Sequence, residues 1–68
     1  MQPDPINVKL SRSARTEQSA KKVALAAHRE RGGDPGQFFT VERRRNSWLV
    51  QMRERGTEAR MDYLVPFG

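Results

Sequence analysis

Apolar and polar residues alternate near the start of the chain, where Ile6, Val8 and Leu10 interleave with Asn7, Lys9 and Ser11. A period of two is the mark of a strand with one buried face. Residues 1–5 contain two prolines and predict an irregular lead-in, and the polar stretch from Ser11 to Arg15 predicts a loop. The period then changes. Ala20, Val23, Ala24 and Ala27 recur at helical spacing; Thr16 stands ahead of them as an N-cap, and Glu17 puts a carboxylate where the helix dipole favours it. Arg29 and Arg31 in the last turn, with Gly32 beyond them, complete a helix predicted over about residues 17–31. Its alanine stripe lets it lie close against whatever it covers.

The cluster Gly32-Gly33-Asp34-Pro35-Gly36 predicts a turn, and three strands follow at residues 38–41, 48–52 and 61–65. Asn46-Ser47 and Arg55-Gly56 suit two-residue hairpin turns. Those turns set Arg45 opposite Trp48, Arg43 opposite Val50, Val41 opposite Met52, Met52 opposite Ala59, Val50 opposite Met61 and Trp48 opposite Tyr63. One face then collects Phe39, Val41, Trp48, Val50, Met52, Met61, Tyr63 and Val65. The other collects Thr40, Glu42, Arg44, Leu49, Gln51, Arg53, Glu58, Arg60 and Asp62. This separation predicts an α+β fold, a single β-α-β-β-β domain with one helix packed on one face of a four-stranded, mostly antiparallel sheet. The helical crossover makes the first strand parallel to the second. It can lie beside either the second strand or the fourth.

With 68 residues the chain is one small domain, of a size that buries only about 60% of the surface its unfolded form exposes. It has no Cys, which excludes disulfides and thiolate zinc sites. No apolar run is long enough to span a bilayer and Met1-Gln2-Pro3-Asp4-Pro5 is not a signal peptide, so the expectation is a whole small cytoplasmic gene product with no membrane partner. Thirteen Lys and Arg, ten of them Arg, face eight Asp and Glu, for a net charge of +5. That balance favours polyanions or acidic protein surfaces.

Catalysis finds no footing. The one histidine, His28, reads as a partly exposed helix residue with no nucleophile or carboxylate partner. The carboxylates lack metal-ligand spacing, so the expectation is a non-enzymatic protein with no metal and no cofactor. The polar sheet face predicts cross-strand pairs, Arg53 with Glu58 and Gln51 with Arg60, in place of the exposed aromatics of RNA-recognition sheets.

Two surface patches remain. Arg43, Arg44 and Arg45 end a strand beside a tight turn and predict an anion contact, with Arg45 able to stack on Trp48. On the outer helix face, Lys21, Lys22, His28 and Arg29 surround Leu25, an apolar centre with a cationic rim that suits protein recognition. Arg12 and Arg15 can add further anion contacts to either patch. In type, a compact arginine-rich chain without catalytic residues resembles the accessory products of phages and mobile elements, anti-CRISPR proteins among them. The likeness implies an inhibitor or adaptor bound to a protein or ribonucleoprotein complex that handles nucleic acid, and it transfers no residue roles. Direct nucleic-acid binding through the Arg-rich turn and basic helix is the alternative, and a homodimer joined at a sheet edge is a third arrangement.

Overall fold

In a computed structural model, residues 6–54 and 60–67 are described. They form β1 (Ile6–Lys9), α1 (Glu17–Glu30), β2 (Pro35–Arg43), β3 (Ser47–Glu54) and β4 (Arg60–Pro66). The sheet order is β1-β4-β3-β2. β1 runs parallel to β4, and the other two pairings are antiparallel. The architecture is therefore one helix on a four-stranded mixed sheet, as the alternation predicts. The lead-in at 1–5, the turn at Arg55-Gly56 and the pairings of Glu58 and Ala59 lie outside the described residues, as does the facing of the Phe39 side chain.

The order of the strands follows from what each can tolerate. β4 carries Met61, Tyr63 and Val65, all buried, and it takes an interior position. β2 begins with Pro35, which cannot donate to a ladder, and ends in charge, so it suits an edge. An edge position also explains why β2 starts three residues earlier than predicted: there Pro35 and Gly36 extend a strand across irregular register instead of closing a turn. The connection through α1 thus spans the sheet from one edge strand to the other.

Both hairpins are offset by two residues from the expected register. Arg43 pairs with Trp48, Val41 with Val50, Val50 with Tyr63 and Trp48 with Val65. The first turn places Arg45-Asn46 at its tip, closed by Arg44 N–H donating to the Ser47 carbonyl at 2.8 Å. A slip of two keeps a residue on its face, so Val41 and the described residues of β3 and β4 stay on their predicted sides, while the register of β2 shifts between Phe38 and Thr40. Val50, Met52, Tyr63 and Val65 are fully buried beneath Ala20 and Ala24.

The helix is capped at both ends as its sequence implies. Thr16 Oγ1 accepts from Ser19 N–H at 3.1 Å. At the other end Gly33 N–H reaches the His28 carbonyl and Gly32 N–H reaches that of Arg29, both at 2.9 Å, with Gly32 at φ 81°. This is a Schellman termination, and its left-handed residue favours glycine.

Three expectations on the helix and the core are corrected. His28 does not face solvent: it is 1% exposed and lies one helical step beyond Ala20 and Ala24 on the buried stripe. Its Nδ1 shares a hydrogen bond with Tyr63 Oη at 2.5 Å, which makes an imidazole acceptable there. Leu25 is half-buried and packs against the core, so it is no outward-facing centre for a patch. Trp48 is half-buried at the end of the sheet, beyond the fully enclosed core.

Candidate functional site

Because β1 runs parallel to β4, and β4 runs in the same direction as β2, the C-terminal ends of three strands meet at one end of the sheet with the β2–β3 turn. The loop leaving β1 is laced to β4 there. Leu10 N–H donates to the Leu64 carbonyl and Ala14 N–H to that of Pro66, both at 2.9 Å. Trp48 Nε1 donates to the Ala14 carbonyl at 3.1 Å and its ring meets Phe67 edge to face, centroids 5.6 Å apart. The half-buried indole thus ties the loop to the sheet.

This lacing places side chains that are far apart in sequence on one surface. Lys9, Arg15, Arg43, Arg44 and Arg45 are exposed and lie at or beside these strand ends, whereas Arg12 lines a hollow against the helix with Leu10, Val23, Ala27 and Glu30. The three adjacent arginines diverge. Arg43, and not Arg45, stands opposite Trp48, and its guanidinium lies over the Phe67 ring, 5.3 Å from the centroid. Arg44 is held by Glu42 at 3.1 Å on the face away from the helix. Arg45 sits at the turn tip, exposed.

The face away from the helix also departs from a simple ladder of ion pairs. Thr40 Oγ1 donates to Gln51 Oε1 at 2.7 Å, Gln51 Nε2 to Asp62 Oδ1 at 3.4 Å, and Arg60 Nε lies 3.5 Å from the same oxygen. Gln51 therefore meets Asp62 and not Arg60, and Arg53 stands opposite Arg60, a consequence of the two-residue offset. On this face Leu49 and Asp62 are each only 7% exposed. Asn7, Arg44, Arg45, Asn46, Ser47, Leu49, Asp62 and Leu64 line an open concavity of about 550 Å³.

Of the residues singled out from the sequence, Arg15, next to the Ala14 that Trp48 and Phe67 hold, falls at the same end as Arg43, Arg44 and Arg45, and Arg12 does not join them. Lys21, Lys22 and Arg29 stay exposed along the helix, with Arg29 in its last turn at the far end of the molecule. Phe67, Asn7, Leu49, Leu64 and Asp62 carry no signal in the sequence beyond the oddity of leucines on a polar face. Among the described residues no group of three or more His, Asp or Glu is placed to hold a metal ion, and no helix is long and apolar enough to cross a membrane. Comparison with protein-family models, curated proteins and solved structures gives no match to this chain.

Proposed function

We propose that this chain is a non-enzymatic, cytoplasmic binding protein that holds nucleic acid by its phosphates at the arginine-rich end of the sheet. The supporting observation is the meeting of Arg15 with Arg43, Arg44 and Arg45 at one end of the sheet. Nothing in packing the core requires four guanidinium groups at one end of so small a domain, where they repel one another. A polyanion removes that repulsion, and the guanidinium fork is matched to phosphate oxygens. Glu42 and Phe67 hold Arg44 and Arg43 in place before a ligand arrives, which lowers the ordering cost of binding.

The test is fluorescence anisotropy of a labelled oligonucleotide across a salt series. Phosphate contact predicts a log–log slope of about −0.9 per neutralised phosphate for duplex DNA and about −0.7 for a single strand. Replacing Arg43, Arg44 and Arg45 together by Ala should abolish most binding and flatten the slope, whereas Lys22→Ala should change little. No binding at low salt would eliminate the proposal.

A second reading, the inhibitor or adaptor of anti-CRISPR type, is favoured by the exposed Lys21, Lys22 and Arg29 along the helix, a surface distinct from the arginine-rich end. It predicts a protein or ribonucleoprotein partner that survives nuclease treatment in a pull-down from the native host and is lost on Lys21→Glu/Lys22→Glu.

A further inference from the structure

The concave face of the sheet is layered along the strand direction. Arg44 and Arg45 stand at the turn, in the row of Ser47 and Pro66. Two residues down, Leu49 pairs with Leu64. Two further down, Asp62 sits between Gln51 and Asn7. At about 3.3 Å per residue the cationic row and the carboxylate row lie about 13 Å apart, with the leucines between them. The concavity above these rows, about 550 Å³, falls within the range of about 300–1,000 Å³ that small ligands occupy.

We infer that this face receives one nucleotide of a single-stranded nucleic acid, its phosphate toward Arg44 and Arg45, its base against Leu64, and its amino edge toward Asp62. The inference rests on the nucleic-acid reading above and specifies which form of nucleic acid is held. Each row demands something different of the occupant. Arg44 and Arg45 ask for an anion. Leu64, half-buried, offers an apolar floor on a face that is otherwise polar, with Leu49 buried beside it. Asp62 repels a second anion and accepts hydrogen bonds; its Oδ1 already receives Gln51 and Arg60, which hold the carboxylate in place. An acidic peptide lying along the rows would bring carboxylates against Asp62, and inorganic phosphate would leave the floor empty. A base stacked within a duplex cannot present its face to a protein floor, whereas an unpaired base can. A carboxylate also reads the exocyclic amino group of cytosine, a donor that thymine lacks.

The experiment compares short labelled oligo(dC), oligo(dT) and a duplex, by anisotropy at low salt, on the whole chain. The expected order is oligo(dC) tightest, then oligo(dT), then duplex. Leu64→Asn, on a half-buried outer position, should weaken oligo(dC) about tenfold by removing the apolar floor, while leaving the duplex within about twofold. Asp62→Asn offers both a donor and an acceptor, so the preference for oligo(dC) over oligo(dT) should shrink while the salt slope stays the same. Circular dichroism and Trp48 emission check that both variants fold. Duplex binding equal to or tighter than single-strand binding would overturn this inference and leave the phosphate reading intact. Inorganic phosphate competing with oligo(dC) as well as cytidine monophosphate does would overturn it too. Binding of none of the three would remove the parent reading as well.

Discussion

His28 on α1 and Tyr63 on β4, thirty-five residues apart, meet inside the core, Nδ1 to Oη at 2.5 Å with the rings edge to face and centroids 5.6 Å apart. Both side chains are essentially sealed from water, so the bond satisfies polar atoms that burial would otherwise strand. Tyr63→Phe should cost about 1–3 kcal/mol, because it removes the hydroxyl and leaves the imidazole in place. The double change His28→Leu/Tyr63→Phe should cost less than the sum of the two single changes. Urea denaturation of the four proteins measures this, and strict additivity would deny the coupling.

Gly33 closes over the same imidazole. A Cβ built at position 33 would lie 2.5–2.8 Å from three ring atoms of His28, and the ring cannot yield while Tyr63 holds it. A Cβ at Gly32 meets open space, and only the backbone at φ 81° objects. Gly32→Ala should therefore cost about 1 kcal/mol from left-handed strain. Gly33→Ala should cost more, about 2–3 kcal/mol, through overpacking. Midpoints in urea rank the two, and the reverse order would contradict the close approach.

Trp48 acts as a tether more than as core filling. Trp48→Phe keeps a ring against Phe67 but leaves the buried Ala14 carbonyl without its indole donor, for about 1–2 kcal/mol of stability. It also loosens the loop that positions Arg15. Oligonucleotide affinity should fall about threefold, since that side chain must then be ordered on binding. Affinity unchanged at full folding would show that the loop does not contribute to binding.

Glu42 stands at the arginine-rich end and occupies Arg44. Glu42→Gln should raise oligonucleotide affinity about threefold at low salt, an advantage that fades as salt screens it. Stability should change by less than about 1 kcal/mol, because both partners are more than half exposed. Weaker binding in this variant would mean that Glu42 orients Arg44 productively and does not compete with the ligand.

Much of the fold was legible because its signals are local. Thr16 and Gly32 bound the helix, and the alternation from Val41 to Val65 assigns each residue to a face; both work through neighbours in sequence. His28 was not legible: its spacing, four residues after Ala24 and eight after Ala20, fits the buried stripe, but its polarity argued for solvent and Tyr63 overrules that. The two-residue offset was not legible. Registers that differ by two bury the same side chains, so the pattern cannot choose between them, and turn closure and the packing of Trp48 beside Val65 make the choice. The arginines were visible one group at a time. Their convergence was not, because it depends on β1 pairing with β4 instead of β2, a contact between segments more than fifty residues apart. What the sequence by itself determined was which face of the sheet the residues of β3 and β4 take and where the helix starts and stops, since periodicity and capping act over a few residues. Only the tertiary structure decided which strand ends meet, since that is settled by burying the most apolar strand in the interior of the sheet, and the site is built from those meetings.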